Sequence, residues 1–274
     1  MRILYIAEIV GKIGVWAVKQ GLPVLKKKYS PDLVVANGDG ATGGRGLGRA
    51  HGAYLLKLGI NVITGGDYIY SKRDMVASFS EFKRILPPCN LPEESPGSGF
   101  YVFSGERYPV PVVVVSLLGR SGNFRIYGDN PFNYFEKILP DLKKKGKIIF
   151  VDFHGGTSAE KETFFYAFDG KVSCIAGSHG RIQTSDNRVL KGGTGVICDS
   201  GRTGALDSVG GFDVENRIRS YKTMIPEWPC ESLANPHVQG ACFTVDDKTG
   251  GCVSVERFSM PAGDSKDFSG FPEK

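Results

Sequence analysis

Two histidines end apolar stretches of the sequence in the same way. His154 closes the stretch K-I-I-F-V-D-F-H-G-G, and His179 closes V-S-C-I-A-G-S-H-G-R. An apolar, β-branched run that stops at a polar residue followed by glycine predicts a buried strand that delivers that side chain to the edge of a sheet. Imidazole is the commonest side-chain metal ligand and titrates near neutral pH. The two histidines therefore indicate a metal site or an acid–base site.

Carboxylates occupy matching positions earlier in the chain. Glu8 ends the first apolar run, Asp39 follows D-L-V-V-A-N in a glycine-rich loop, and Asp67 follows N-V-I-T-G-G. A lone histidine at a strand end is more often only hydrogen-bonded in place, but five ligand-capable side chains from five predicted strand ends favour a metal centre. Carboxylate oxygens combined with imidazoles suit Mn, Fe or Zn better than Ca.

The elements that would position these residues alternate between strands and helices. Strands are predicted over residues 2–10, 32–37, 61–66, 100–103, 110–119, 147–153, 172–177 and 194–198. A loop at Gly11 and Gly14 is predicted to lead into a helical segment that ends at Tyr29, and further helices are predicted over 47–59, 71–86, 131–145, 158–168 and 214–222. A hairpin is predicted over residues 238–258. The alternation indicates one α/β domain over residues 1–274, with the hairpin as a C-terminal extension. Its architecture would be a layered sandwich with the site at the carboxyl ends of the strands.

Composition excludes several classes of protein. The hydrophobic content is 41%, the charged content is 23%, and no apolar run approaches the roughly 20 residues that a membrane span requires. The first residues lack the features of a signal peptide, which predicts a cytoplasmic protein. Six cysteines without C-x-x-C spacing are typical of reduced thiols.

The net charge of +5 does not by itself indicate nucleic-acid binding. The lysine clusters at 26–28 and 143–145 each close a predicted helix, where lysine favours the negative end of the helix dipole. We therefore expect no dedicated nucleic-acid patch. A dinucleotide site is also disfavoured, because the glycines of G-D-G-A-T-G-G do not match G-x-G-x-x-G after the first strand.

Blocks spread along nearly the whole chain carry a family resemblance. They are R-I-L-Y-I-A-E-I-V-G, N-G-D-G-A, I-T-G-G-D-Y, C-N-L-P-E-E-S-P-G, F-V-D-F-H, G-S-H-G-R-I-Q-T-S-D-N, D-S-G-R-T-G and S-Y-K-T-M-I-P. Together they resemble the YmdB-like branch of the calcineurin-type metallophosphoesterases. The resemblance implies a layered α/β/β/α sandwich with a bimetallic centre that hydrolyses phosphodiesters such as cyclic nucleotides.

At one of the two metal positions of the family, this chain has residue types that can still ligate a metal. The ligands of this position fall on Asp39, Asp67, His154 and His179, where the two histidines match the family pattern as they stand. The family pattern has glutamate at Asp39 and asparagine at Asp67. The resemblance thus implies a shell that could hold one divalent transition metal, Mn, Fe or Zn.

The other metal position departs from the family pattern. Its ligands fall on Glu8, the shared Asp39, Gly40 and Arg181, where the family has aspartate, glutamate, asparagine and histidine. A guanidinium does not ligate a metal, but between Glu8 and Asp39 it could replace the positive charge of the second ion. We therefore expect no second metal. Two alternatives stay open. The longer side chain at Glu8 and the shorter one at Asp39 could compensate for each other and preserve a carboxylate at both positions of the centre. Arg181 could instead face solvent or bind phosphate bidentately.

Tyr68 stands where the family has a histidine. The resemblance implies that this histidine stabilises the phosphate or protonates the leaving oxygen. A phenol with a pKa near 10 donates hydrogen bonds but is a poorer proton donor at pH 7. General acid catalysis is worth ~10²–10⁴ in rate. Tyr68 is thus the catalytic candidate at this position, with reduced capacity as an acid.

Two functions follow from these departures. The main hypothesis is a degenerate metallophosphoesterase with weak or no activity, which binds or senses a nucleotide or acts as a scaffold for a protein partner. The alternative is an active phosphodiesterase with an altered single-metal site that acts on cyclic nucleotides or similar phosphodiesters. The resemblance also suggests self-association as a homo-oligomer.

Overall fold

The computed structural model describes residues 1–105, 108–122 and 126–268. Its strands are β1 (Arg2–Ile6), β2 (Glu8–Ile9), β3 (Leu33–Asn37), β4 (Val62–Thr64), β5 (Ile85–Leu86), β6 (Phe100–Gly105), β7 (Tyr108–Leu118), β8 (Ile148–His154), β9 (Cys174–Ser178), β10 (Arg188–Val189), β11 (Gly195–Ile197), β12 (Arg202–Ala205), β13 (Pro236–Val245) and β14 (Cys252–Pro261). Its helices are α1 (Gly11–Tyr29), α2 (Arg49–Lys57), α3 (Arg73–Val76), α4 (Pro131–Lys145), α5 (Ser158–Ala167) and α6 (Val214–Thr223), and a 3-10 turn covers Ser265–Asp267.

The strands form two sheets. The first has the order β2-β12-β13-β1-β3-β4-β5, with β14 paired to β13, and the second has the order β10-β11-β9-β8-β7-β6. Strands β1, β3, β4 and β5 run parallel to one another, as do β7, β8, β9 and β11. Neighbouring parallel strands bring their carboxyl ends to one edge, where side chains from distant parts of the chain can meet.

Alternate residues of the strands face opposite layers, because side chains in a strand alternate between its two faces. Ile3 and Tyr5 belong to a central core between the two sheets, whereas Leu4 and Ile6 pack with side chains of α1. The outer face of the second sheet, which includes Val113, packs with side chains of α4 and α5. The molecule is the predicted layered α/β/β/α sandwich.

The structure corrects the predicted helix over residues 71–86. Only α3 is helical there, and turns lead from it to β5, whose Ile85 and Leu86 pair with β4. Met75 and Phe79 are both buried in the core beneath the first sheet. Packing of these two side chains and the pairing of β5 override the helical spacing of the apolar residues.

Three further differences from the prediction matter for the site. The predicted strand over residues 2–10 breaks at Ala7, so Glu8 lies in β2, which pairs with β12. The sequence did not predict β12, because its G-R-T-G-A stretch contains glycines that weaken strand propensity. Strand β13 of the predicted hairpin lies inside the first sheet, between β12 and β1.

No helix in the three described ranges combines the length and the apolar character that crossing a bilayer requires.

Candidate metal centre

Three of the predicted ligands form a compact cluster. One ligand atom each of Asp67, His154 and His179 lies within 4.8 Å of the other two. Nε2 of His154 is 3.2 Å from Oδ1 of Asp67 and 3.2 Å from Nδ1 of His179. His154 is buried, and the side chain of His179 keeps 24% of its surface exposed. The cluster is thus closed on the protein side and open on the other.

The carboxyl ends of three strands build this cluster. His154 is the last residue of β8, Asp67 follows β4, and His179 follows β9. Gly66 leaves room for the imidazole, since a Cβ at this position would lie 2.2 Å from Nε2 of His154. The sequence prediction that strand ends deliver these three residues to one edge agrees with the geometry.

A chain of hydrogen bonds orients the His154 ring. Nδ1 of His154 is 2.8 Å from the Ser178 hydroxyl, and that hydroxyl donates to Oδ1 of Asp152 at 2.7 Å. Because the Ser178 hydrogen is committed to Asp152, Nδ1 of His154 is the donor to Ser178. Nε2 then faces Asp67 and His179 as the coordinating nitrogen once its own proton is lost. Outer partners of this kind fix the tautomer of a metal-binding histidine.

Asp39 borders the cluster. Its Oδ2 is 3.7 Å from Nε2 of His154. Its two oxygens also accept hydrogen bonds from the backbone N–H groups of Gly66, at 2.6 Å, and Tyr68, at 3.0 Å. Asp39 therefore ties the Gly66–Tyr68 loop to the site and keeps a lone pair in reach of an ion.

The charges of the site are strongly coupled. Burial, together with the charges of Asp67 and Glu8, outweighs the attraction of His154 and raises the pKa of Asp39 to about 7. Burial lowers the pKa of His154, but its hydrogen bond to Asp67 and the charges of Asp39 and Glu8 outweigh burial and raise that pKa to about 9. Despite burial, hydrogen bonds from the two imidazoles hold the pKa of Asp67 well below its usual value. The carboxylates thus create a site that favours a positive charge.

Arg181 does not join this cluster but pairs with Glu8. Its Nη2 is 2.6 Å and its Nε 2.9 Å from Oε1 of Glu8. The guanidinium also donates to the carbonyl oxygens of Gly44, at 3.0 Å, and Gly210, at 3.1 Å. Oε2 of Glu8 is buried and has no hydrogen-bond partner in the described part of the chain. Glu8 therefore holds the cation through one oxygen and keeps the other as an acceptor.

Gly40 makes this placement of Arg181 possible. A Cβ at residue 40 would lie 2.9 Å from Nη2 of Arg181 and 3.1 Å from Oε1 of Glu8. Any side chain at this position would therefore compete with the guanidinium for the same space. Glycine at 40 and arginine at 181, the two departures singled out from the sequence, are sterically linked.

The loop that carries His179 and Arg181 has an unusual backbone. His179 has φ 91° and Arg181 has φ 57°, conformations that non-glycine residues rarely adopt. Asp199 accepts a hydrogen bond from the N–H of Gly180 at 2.8 Å and pairs with Lys161 at 2.9 Å, with both side chains buried. These contacts hold the strained loop in the conformation that the site needs.

Arg202 of β12 supports the same loop from the other side. Its Nη1 donates to the carbonyl oxygen of Arg181 at 2.8 Å, and its Nε donates to the carbonyl oxygen of Ala205 at 2.8 Å. Arg202 is buried, with a 4% exposed surface. It therefore fixes the backbone of Arg181 relative to the chain that follows β12.

A cleft of about 400 Å³ opens beside the cluster. Its walls include Tyr68, the guanidinium of Arg181 and two further arginines, and its lining residues are Glu8, Gly44, Arg45, Asp67, Tyr68, His179, Gly180, Arg181, Val209, Gly210, Phe212, Arg217 and Tyr221. The Tyr68 ring faces the guanidinium carbon of Arg45 at 5.8 Å. The cleft thus presents cationic and aromatic side chains next to the cluster of Asp67, His154 and His179.

The donor set suits a transition metal. Two imidazoles and one carboxylate converge, with Asp39 next to them, and an outer hydrogen bond orients the buried imidazole. Such nitrogen and oxygen donors suit Zn, Fe or Mn better than Ca. The cluster is consistent with one divalent ion held by Asp67, His154 and His179.

Several residues that support the site were missed from the sequence. Asp152 lies two residues before His154, and Ser178 lies one residue before His179, each inside an apolar run. A polar residue in such a run could have indicated a hydrogen-bond partner of a histidine. Lys161 and Asp199 come from distant segments, and no spacing in the sequence connects them. Only the folded structure brings the two members of each pair into contact.

Comparisons with known proteins agree with the architecture. The family model described as YmdB-like protein matches residues 4–258. The chain is 33% identical over 258 residues to the 2′,3′-cyclic-nucleotide 2′-phosphodiesterase of Bacillus subtilis (strain 168), with 94% of this chain and 96% of that protein covered.

Solved structures show the same fold. A crystal structure of a novel phosphatase from Mycoplasma pneumoniae is similar with a TM-score of 0.88 and 30% sequence identity, covering 95% of this chain and 93% of that one. A 5′-nucleotidase from Candida albicans SC5314 has a TM-score of 0.59 at 11% identity, covering 95% of this chain and 51% of that one, a likeness that concerns the fold alone.

Proposed function

Because the chain belongs to the YmdB-like protein family, we propose that it is an active metal-dependent phosphodiesterase that acts on cyclic nucleotides or similar phosphodiesters. The names of its relatives, a cyclic-nucleotide phosphodiesterase and a phosphatase, support activity. The observation that carries the proposal is the cluster of Asp67, His154 and His179 beside a cationic cleft. The degenerate, inactive protein that was our main hypothesis from the sequence has no support from these relatives.

Asp67, His154 and His179 would hold one divalent ion, with Asp39 as a neighbouring carboxylate. An ion bound there would act as a Lewis acid toward a phosphoryl oxygen and would make water more acidic. The Ser178–Asp152 pair orients the His154 ring for this role.

Arg181 would supply the second positive charge of the site. Glu8 and two backbone carbonyls fix its guanidinium at the wall of the cleft. A fixed guanidinium stabilises the negative charge of a phosphodiester without reorganising during the reaction. In this proposal the altered second metal position binds phosphate by charge and hydrogen bonding.

Tyr68 lines the same cleft and would donate a hydrogen bond from its hydroxyl to a substrate oxygen. It would replace the family histidine as a hydrogen-bond donor, with less capacity to give up a proton at pH 7. We expect a slower enzyme than one with a histidine in this place.

We also propose that the chain acts as one metallophosphoesterase-like domain, since β13 of the C-terminal hairpin is an inner strand of the first sheet. A cytoplasmic location and self-association as a homo-oligomer stay predictions from the sequence. A protein partner is no longer needed to explain the site.

The first test compares two histidines of the same chain. Purified protein supplied with Mn²⁺ should hydrolyse 2′,3′-cyclic AMP at ~1 s⁻¹ or faster, an ordinary enzyme rate. His179→Ala should lose bound metal, measured by elemental analysis, together with turnover. His237→Ala is the matched control, because His237 lies in β13 and does not line the cleft.

Two results would contradict the proposal. One is a wild-type protein that binds metal yet cleaves neither 2′,3′-cyclic AMP nor a simple phosphodiester above background. The other is a His179→Ala variant that keeps full turnover, because the cluster would then not be the site of the reaction.

A further inference from the structure

Part of the lining of the cleft has its own chemistry. It includes Val209, Gly210 and Phe212 and two residues of α6, Arg217 and Tyr221. These last two are four residues apart, so they lie on the same face of the helix. The guanidinium carbon of Arg217 is 5.3 Å from the centre of the Tyr221 ring. Arg217 therefore lies over one face of the Tyr221 ring.

Core packing does not explain Tyr221. Its side chain is 71% exposed although it lines the cleft. Phe212, in contrast, is 9% exposed and packs 5.8 Å from the guanidinium carbon of Arg181. Phe212 supports Arg181, whereas Tyr221 leaves most of its ring free for a ligand.

The pair also differs from Arg181 in its electrostatic partners. Arg181 is held by Glu8, whereas the described residues include no carboxylate within ion-pair distance of Arg217. Arg45, which also lines the cleft, faces the Tyr68 ring in the same arrangement. The lining of the cleft thus includes two arginine–aromatic pairs in addition to Arg181, which Glu8 holds.

We propose that the open face of the Tyr221 ring stacks against the nucleobase of a cyclic nucleotide whose phosphate lies beside Arg181, with Arg217 packed on the other face of the ring. This inference rests on the proposed function and adds to it the side chains that recognise the base. Rings and guanidinium planes both stack on bases, and such stacking tolerates every base because each has a π face. The enzyme therefore selects nucleotides over phosphodiesters that lack a base, with little preference among bases.

The kinetic test compares two substrates that differ in the base. Wild type, Tyr221→Ala and Tyr221→Phe are assayed with 2′,3′-cyclic AMP and with glycerol 1,2-cyclic phosphate, which has no base. Tyr221→Ala should raise KM for the nucleotide by roughly 5- to 100-fold, the range that base–aromatic stacking supports. The ratio of kcat/KM for nucleotide over base-free substrate should fall accordingly. Tyr221→Phe keeps the ring and should restore the ratio.

A control variant and two contradicting results complete the kinetic test. Tyr166→Ala removes another exposed tyrosine, on α5, that does not line the cleft, and it should leave the ratio unchanged. A ratio that is the same in Tyr221→Ala and wild type would overturn the inference. A loss that is equal for both substrates would overturn it as well, because it would show a general defect.

A binding measurement separates this inference from the proposed function. Isothermal titration with 3′-AMP requires no turnover, and wild type should bind it roughly 5- to 100-fold more tightly than Tyr221→Ala. If wild type shows this difference but hydrolyses nothing, the stacking site stands and the proposed activity fails. If wild type hydrolyses cyclic nucleotides but both proteins bind 3′-AMP equally, or neither binds it, the activity stands and the stacking site fails.

Discussion

At the scale of single residues, the site depends on Arg181 occupying space that only glycine at position 40 leaves open. The guanidinium touches one oxygen of Glu8 and two backbone carbonyls, so it is both charged and fixed. Burial disfavours its charged form, but the adjacent Glu8 carboxylate outweighs burial and raises the pKa of Arg181. Glu8, Gly40 and Arg181 together thus place a permanent positive charge next to the metal cluster.

The steric link between residues 40 and 181 can be measured. Gly40→Asn should reduce the free energy of unfolding by about 1–3 kcal/mol, because the new side chain overlaps Nη2 of Arg181 and the carbonyl oxygen of Ile9. Adding Arg181→His should recover part of this loss, with a coupling of about 0.5–3 kcal/mol in a double-mutant cycle from urea unfolding. Additive effects of the two substitutions would show that the guanidinium does not occupy this space.

At the scale of elements, the loop after β9 is held by a buried ion pair between α5 and the chain after β11. Lys161 and Asp199 are 3% and 6% exposed, and Asp199 also accepts the N–H of Gly180. A buried pair of this kind is costly to break, because the remaining charge is left without a partner in a poorly solvated place. It positions His179 and Arg181 without touching a substrate.

Lys161→Met should therefore destabilise the protein by about 3–5 kcal/mol, measured by urea unfolding at pH 8. Burial already raises the pKa of Asp199, and loss of Lys161 should raise it further. A carboxyl whose folded pKa exceeds its unfolded value stabilises the fold at low pH and loses that contribution as pH rises. The deficit of the variant relative to wild type should thus grow toward pH 8 once the pH exceeds the folded pKa of Asp199 in wild type, which burial places above the ordinary aspartate value.

The control for this prediction is an exposed pair. Lys144 lies 2.7 Å from Asp141 on α4, with both side chains more than 70% exposed. Lys144→Met should cause no measurable change, because solvent screens such pairs. A Lys161 variant as stable as this control would show that the buried pair does not hold the loop.

The sequence predicted most elements because their signals are local. Asn130 and Pro131 mark the start of α4, and the structure confirms the cap, with Asn130 accepting the N–H of Phe132 at 3.0 Å. The apolar runs of β7, β8 and β9 are equally clear. The helix predicted over 71–86 was wrong, because distant packing of Met75 and pairing of β5 decide that segment.

At the scale of the whole molecule, a buried carboxylate joins the two sheets beneath the metal cluster. Asp152 of β8 accepts hydrogen bonds from Tyr5 at 2.8 Å, Asn37 at 2.9 Å and Thr64, all from the first sheet. It also accepts the Ser178 hydroxyl, which in turn contacts His154. The packing of the sheets and the orientation of a metal ligand therefore depend on one side chain.

Ser178→Ala separates these two roles. It removes the contact to His154 and the 3.3 Å hydrogen bond from Asn37 but leaves the three hydrogen bonds that Asp152 accepts from the first sheet. Metal affinity should therefore fall by roughly 10- to 100-fold with a loss of stability of about 1 kcal/mol. Calorimetric titration with Mn²⁺ and urea unfolding measure the two quantities. Tyr5→Phe should reduce the free energy of unfolding by a similar amount but should lower the metal affinity less than Ser178→Ala does. Equal metal affinity in wild type and Ser178→Ala would rule out the orienting role.

The site was only partly predictable for a physical reason. Strand ends that share an edge can be inferred from local patterns, and Asp67, His154 and His179 were predicted in this way. The expectation that Arg181 lies between Glu8 and Asp39 came from the family resemblance, not from spacing, and the structure shows its contact with Glu8. The contacts of Asp152, Lys161 and their partners depend on how layers stack, which no local pattern of residues specifies.

The most direct test of the central claim is a titration of metal-free protein with Mn²⁺, with the initial rate of 2′,3′-cyclic AMP hydrolysis as the readout. We expect the rate to rise from background and to level off at about one equivalent of ion per chain, since the described residues form one cluster of ligands and Arg181 supplies the second charge. A rate that stays at background throughout, or that requires two equivalents, would contradict an active enzyme with a single metal.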